Sequence, residues 1–322
     1  MASPTITSIA RLVPTYYDRL LLDNLYPDLY LWQFGEKRKV PPNSGKTILF
    51  NKWTKLTLGN FVTEGTPIGT CAMSASLVST TLSGFALAVK HSDFLVMTAI
   101  SDVIAGSVQE VSKSLALKID SRIRQVISGL GTQITACVVS VAGSAVVGKL
   151  KNGDRLKARE VVRSLRTLNV NNAKTFPDGF FGMVLHPYQL WDIQGDTSTG
   201  GWIDINKYAS NDTVQNLYRG EVGQLYGFRV VRSTNVKAGL AASPASAANS
   251  AYMGFAMGPG AYGVVELDEG SARVFVKQLG SSGTADPVNQ LATVGAKIYF
   301  SAVNLDCTNR LVTISSGKST AL

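Results

Sequence analysis

The stretch VPPNSGKTILFNKWTKLTL, residues 40–58, decides how the chain is read. Its centre, Ser44-Gly45-Lys46-Thr47, matches the end of a phosphate-binding loop, G-x-x-x-x-G-K-[ST], which sits between a strand and a helix. The first glycine of that motif would fall at Val40, ahead of Pro41 and Pro42. A phosphate cradle also needs a helix whose first amides point at the anion. After Lys46 the chain reads Thr47-Ile48-Leu49-Phe50-Asn51-Lys52-Trp53-Thr54, rich in β-branched and aromatic residues, which predicts a strand. Asn43-Ser44-Gly45 is therefore a turn into a strand, and no nucleotide is expected there. The echo Gly317-Lys318-Ser319 has Val312 where the glycine belongs, and fails as well.

A second glycine motif is excluded in the same way. Gly258-Pro259-Gly260-Ala261-Tyr262-Gly263 spells G-x-G-x-x-G, but the dinucleotide fingerprint requires a helix to begin within it. Val264-Val265-Glu266-Leu267 and the turn residues after it predict a loop between strands instead. The two histidines, His91 and His186, have no second histidine or cysteine at a metal-ligand spacing, so no His/Cys zinc site and no cofactor is expected. His186, in Leu185-His186-Pro187, reads as the close of a strand. Glu64 is a lone acid in a loop, whereas general acid work needs a positioned partner. A nucleotide-binding enzyme is thus a weak reading of this chain.

The chain has 322 residues, of which 45% are hydrophobic and 16% charged, a balance that suits a folded core rather than disorder. The net charge of +9 is uneven. Residues 149–168 hold Lys149, Lys151, Arg155, Lys157, Arg159, Arg163 and Arg166 against Asp154 and Glu160, so seven minus two, or five of the nine, lie there. Such a face draws polyanions without sequence preference, or is simply a solvated helix surface. Cys71, Cys137 and Cys307 are scattered and form no CxxC, as expected of reduced thiols in an intracellular setting. The N-terminus lacks the pattern of a secretion signal. The most apolar run, 134–148, is too short to span a bilayer, so no membrane partner is expected.

Along the chain, residues 1–35 read as an arm dense in Tyr, Leu and Trp, folded onto its own core or packed on a neighbour. Residues 46–58 and about 80–91 predict two strands of a ribbon. The loop between them, 59–79, is longer than compact domains usually allow, and a lone ribbon is marginal in water. Ile100, Ile104, Val108, Val111, Leu115, Ile119, Ile123 and Ile127 keep helical spacing, predicting a helix over 99–128, roughly 45 Å long. A second helix is predicted from an Asp154 N-cap to Leu168, burying Ala158, Val161, Val162, Leu165 and Leu168 and exposing Arg155, Arg159, Arg163 and Arg166. Strands are predicted at 180–185, 228–231, 252–257, 272–279, 296–303 and 311–315, with a surface loop at 237–250 and a helical turn at 188–193. The fold class is α+β. An aromatic arm, a ribbon, a rod-like helix and a basic face describe a subunit that completes itself against neighbours.

Several short motifs occur in a fixed order. They are Tyr16-Tyr17-Asp18-Arg19-Leu20-Leu21, Pro42-Asn43-Ser44-Gly45-Lys46-Thr47, Thr63-Glu64-Gly65-Thr66-Pro67, Leu185-His186-Pro187, Gly220-Glu221-Val222-Gly223 before Gly227-Phe228-Arg229, and Asp286-Pro287 before Gly295-Ala296-Lys297. In that order the chain resembles the major capsid proteins of tailed bacteriophages with the Hong Kong 97-type fold, and within them the coat-protein branch of N-four-like short-tailed phages. Ala296 departs from the pattern, which has an aromatic residue there. The resemblance implies an N-terminal arm (1–35), an extended β-hairpin loop (36–95), a long spine helix of the peripheral domain (96–130), a mixed axial domain (131–265) and return strands of the peripheral sheet (266–322). It implies a non-enzymatic coat protein that self-assembles through hexamers and pentamers into an icosahedral shell around double-stranded DNA, by way of a precursor that expands. Portal, scaffolding and decoration or cement proteins would be partners, with assembly in the host cytoplasm and residence in the virion. Inter-subunit contacts are expected at Tyr17, Leu21, Trp32, Phe34, Trp53, Phe61 and Glu64, and contacts to DNA or an acidic partner at Arg155, Arg159, Arg163 and Arg166. Joining Lys46, Lys52 or Lys55 to a neighbour is not expected, because lysines on a ribbon serve solubility. A cellular compartment shell of the same fold, with an enzyme as cargo, is the alternative.

Overall fold

A computed structural model describes residues 29–41, 43–54, 56, 61, 64–65, 70–99, 102–136, 154–196, 224–236, 252–267, 272–281, 286 and 288–317. The expected contact residues Tyr17 and Leu21, and the predicted loop 237–250, lie outside them. After a 3-10 turn (Leu31–Phe34) the elements are β1 (Glu36–Val40), β2 (Thr47–Trp53), β3 (Ala75–Thr81), β4 (Ser83–Ser92), α1 (Asp93–Thr98), α2 (Val103–Ile127), β5 (Thr132–Thr135), α3 (Ala158–Val170) and β6 (Phe181–Leu185). Next come α4 (Pro187–Gln194), β7 (Gln224–Leu225), β8 (Phe228–Arg232), β9 (Tyr252–Met257), β10 (Tyr262–Leu267), β11 (Ala272–Lys277), β12 (Leu291–Asn304), α5 (Cys307–Arg310) and β13 (Leu311–Ser316).

Helix α2 is the predicted rod, shorter than expected at 25 residues, or about 38 Å. Its start is set by Asp102, the N-cap, whose Oδ1 accepts the amides of Ile104 at 2.9 Å and Ala105 at 3.1 Å. Val108, Val111, Leu115, Ile119, Ile123 and Ile127 form the buried stripe. They pack on the first sheet, ordered β1-β10-β12-β11, with β4 on the other edge of β12. Strand β12 alternates strictly: Ala292, Val294, Ala296, Ile298, Phe300 and Ala302 are buried towards the helix, while the residues between them are half-buried. Ala296, the departure from the family pattern, is one of these, in the same cluster as the α2 stripe.

The second sheet runs β5-β13-β9-β6-β8-β7. Its middle strands β9 and β13 are buried along their whole length. Met253, Phe255 and Met257 join the α2 core on one face, while Ala256, Val312 and Ile314 join a second core with Val161 and Leu168 of α3 and Leu190 and Ile193 of α4. The second sheet is therefore covered on both faces, which suits strands that are apolar throughout.

Four expectations change. The strand placed at 80–91 is two strands: β3 returns the ribbon, and β4 leaves it to pair with β12. The break is at Leu82, whose amide closes the ribbon on the carbonyl of Lys46 at 2.9 Å. The tail 266–322 does not return wholly to one sheet; β11 and β12 lie under α2, but β13 lies in the second sheet between β5 and β9. Helix α3 starts at Ala158, not at an Asp154 cap; the Ala158 amide is taken by Asp196 Oδ2 at 3.0 Å. Val162 is exposed, while Glu160 and Ser164 share the buried side.

The end of the arm belongs to this chain's own core. Leu29, Leu31 and Trp32 are buried, Trp32 against Phe300 with ring centroids 5.9 Å apart. Phe34 lies against Phe176 at 5.7 Å and close on Gly182, where a Cβ would sit 2.5 Å from its ring. Buried Asp120 on α2 fixes this turn by accepting the amides of Tyr30 at 3.2 Å and Leu31 at 3.3 Å, while Tyr262 donates its hydroxyl to the Leu31 carbonyl.

Burial pushes the Asp120 carboxyl from its ordinary 3.8 up to about 6, against the opposing pull of those amides. A native pKa above the unfolded one means that the folded chain takes up this proton first. Stability from this group therefore rises as pH falls through about 6 and levels off below 3.8. Urea unfolding from pH 7.5 down to 4 should show Asp120→Asn lacking part of the wild-type gain on acidification, on the order of 2–3 kcal/mol. Identical pH profiles for the two proteins would contradict this.

Candidate assembly surfaces

The ribbon β2–β3 pairs Thr47 with Thr81 through to Trp53 with Ala75. Its approach is a tight turn: Asn43 at φ 62° and Gly45 at φ 82° occupy the left-handed region, and Thr47 opens a strand, not a helix. The phosphate-loop geometry is therefore absent. Likewise residues 258–261 are a turn between β9 and β10, with no helix beginning in the glycine motif.

The pairing sorts the ribbon's side chains into two faces. Ile48, Phe50 and Val78 lie on the inner face. Phe50 is 2% exposed and packs with Val40 and Val265. Arg38 stacks on its ring at 4.4 Å, Lys52 Nζ lies 2.8 Å from Asp306 Oδ1, and the hydroxyls of Thr80 and Ser301 are 2.7 Å apart. The outer face carries Leu49, Leu77 and Trp53, which are 53%, 64% and 61% exposed. Thus the ribbon carries apolar side chains on both faces, and among the described residues only the inner ones are covered. Leu56, Phe61 and Met73 beyond it are exposed too, as is Glu64.

Helix α1 repeats the pattern at another place. Ser92 caps it and Asp93 suits its first turn. Six residues are too few for a helix that is stable by itself, yet α1 buries none of its residues, and Phe94 and Met97 are about three-quarters exposed. Contiguous apolar surface of this kind marks an interaction site.

The arginine face is partly as expected. Arg159, Arg163 and Arg166 project from α3 into solvent, one turn apart. Arg155 is exposed but precedes the helix, so it extends the row rather than sharing the helix face. Glu160 is the one acid on α3 and is buried, 3.3 Å from Arg159.

Of the expected contact residues, the structure leaves Trp53, Phe61 and Glu64 on the surface, buries Trp32 and half-buries Phe34. Trp32 is corrected to a core residue, because its ring packs on Phe300 within the α2 core, whereas Phe34 is half-buried beside that core. Leu49, Leu77, Phe94 and Met97 were not foreseen. The signal was present: 48–50 is apolar at both strand parities, and Phe94-Leu95-Val96-Met97 is an apolar run directly after a strand.

No family model matches the chain, and no curated protein does. Solved structures do match over nearly its whole length. The capsid of cyanophage Pam1 aligns with a TM-score of 0.66 at 14% identity, covering 87% of this chain and 87% of that one. The fold is that of phage capsid proteins. The capsid of Ralstonia phage GP4 aligns at 0.65 and 12% identity over 90% of this chain and 88% of its own. That of cyanophage P-SCSP1u aligns at 0.63 and 15% over 90% and 89%. The expected Hong Kong 97-type architecture is thereby reached from sequence order and from shape separately.

Replacing Trp53 and Leu77 together by serine should leave the isolated subunit's unfolding free energy within about 0.5 kcal/mol, because both are surface positions. The same change should abolish higher-order assembly in sedimentation velocity. A strongly destabilised subunit, or unimpaired assembly, would contradict the assignment of the outer ribbon face.

Proposed function

We propose that the chain is the major capsid protein of a tailed bacteriophage, building the icosahedral shell around a double-stranded DNA genome through hexamers and pentamers. The observation that carries this reading is the ribbon whose outer face is apolar and bare. A neighbouring copy that covers Leu49, Leu77 and Trp53 gains about 1.5–3 kcal/mol for each large side chain fully buried, and α1 offers a second such patch. Contacts of this heterologous kind close rings. Many engaged at once make loss of a subunit rare even if each is modest.

In this reading the ribbon is the extended loop, α2 is the spine, the first sheet with α2 is the peripheral domain, and the second sheet with α3 and α4 is the axial domain clustered at five- and six-fold centres. The row Arg155, Arg159, Arg163 and Arg166 meets packaged DNA, neutralising phosphates without reading sequence. Portal, scaffolding and decoration or cement proteins are the further partners of such a shell, which forms in the host cytoplasm and ends in the virion.

Electron microscopy of the overproduced chain tests the proposal, with closed shells of uniform diameter expected. Nuclease-protected double-stranded DNA in particles from producing cells separates the phage coat from an enzyme-loaded cellular compartment. With Arg159, Arg163 and Arg166 changed to glutamate, shells should still close but release DNA at lower salt. A chain that stays monomeric at high concentration, or particles carrying only protein cargo, would overturn the reading.

A further inference from the structure

The first sheet has two faces, and only one lies under α2. On the other, the ribbon's inner face covers the end near Val265 and Val303, while the part formed by β4, β12 and β11 is not covered by the ribbon core. Register gives its layout. In one row Lys90 and Lys277 flank Thr293. The next row is Ala88, Gly295 and Phe275, and the next places Lys297 directly opposite Arg273. With strands about 4.8 Å apart and alternate residues about 6.7 Å apart, four cations lie within roughly 10 by 13 Å around an apolar middle row.

Three features separate this face from an ordinary solvated one. First, the 10, 6 and 14 residues of β4, β11 and β12 include no aspartate or glutamate. Second, Lys297 and Arg273 are a like-charged cross-strand pair, an arrangement that weakens a sheet. Lys297 keeps its place by lying over the Tyr299 ring at 4.5 Å, and that ring is itself seated on Gly84. Third, Phe275 is 53% exposed in the middle row, on the edge strand β11.

We propose that this face docks a second protein, one that presents carboxylates around an apolar centre. An apolar middle with a charged rim is the anatomy of a protein interface. Another copy of this chain is a poor occupant at its ribbon, since residues 41–82 carry Lys46 and Lys55, besides the paired Lys52, against the single acid Glu64, and so offer few carboxylates. DNA is a poor occupant too: a duplex offers a charge every 1.7 Å or so along its axis and is matched by a row of cations. The α3 arginines form such a row, and this face does not. Docking here depends on the sheet face alone, whether or not the chain builds a shell.

Binding to the full chain of a short glutamate-rich peptide with one central tryptophan tests it, with a short DNA duplex as competitor. The peptide should bind in a salt-sensitive manner, and Lys90→Glu with Lys277→Glu should weaken it at least about tenfold. Phe275→Ser should weaken it also, while charge reversal of Arg159, Arg163 and Arg166 should leave it unchanged. Lys90→Gln with Lys277→Gln repeats the test if the reversed pair disturbs folding. No binding, binding indifferent to the lysine changes, or displacement of the peptide by duplex DNA that is lost with the same lysines would each overturn the proposal.

Discussion

Everything in this structure is arranged around one contact, the apolar stripe of α2 laid along the alternating face of β12. A strand shows its side chains to two sides, and the helix takes the even-numbered side of β12 from Ala292 to Ala302. Alanine at three of those six positions keeps the floor shallow beneath Val111, Leu115 and Ile119. The contact also determines what is left over. The opposite side of the sheet is left clear of α2, and among the described residues the ribbon core covers one end of it.

That constraint ties the arm, the ribbon and the helix together. Asp120, on the same helix, holds the turn at Tyr30 and Leu31, so the arm leaves the body at a fixed point. Lys52 and Thr80 hold the ribbon to Asp306 and Ser301. The ribbon is therefore a braced projection whose outer face is bare. Its rigidity matters for assembly, since a preorganised surface loses less entropy when it docks. The surfaces separate by chemistry: apolar stripes on the ribbon and α1, a row of arginines on α3, and cations around a middle row that carries Phe275 on the outer sheet face.

The sequence made the repeating patterns readable and hid what depends on pairing. The α2 stripe and strand β9 could be read directly, because period and burial coincide there. The turn at Gly45 could be read because only special residues suit it. The division between β3 and β4 could not, since Leu82 carries no turn signature and the switch of partner is a tertiary event. Trp32 looked like an interface residue because aromatic richness marks cores and interfaces alike. The burial of Glu160 was not foreseen, because nothing in the spacing marks an acid for the buried side of a helix. The outer stripe of the ribbon needed the register, since Leu49 and Leu77 are far apart in sequence and meet only through pairing.

The central claim is that a single copy leaves the ribbon and α1 uncovered and that neighbours cover them. Amide hydrogen exchange, compared between dissociated subunits and assembled particles of the same chain, tests it most directly. The account predicts that α2, β9 and β12 exchange slowly in both states, while residues 47–53, 75–81 and 93–98 exchange fast in the subunit and slowly in the particle. Equal protection of those three segments in both states would contradict it.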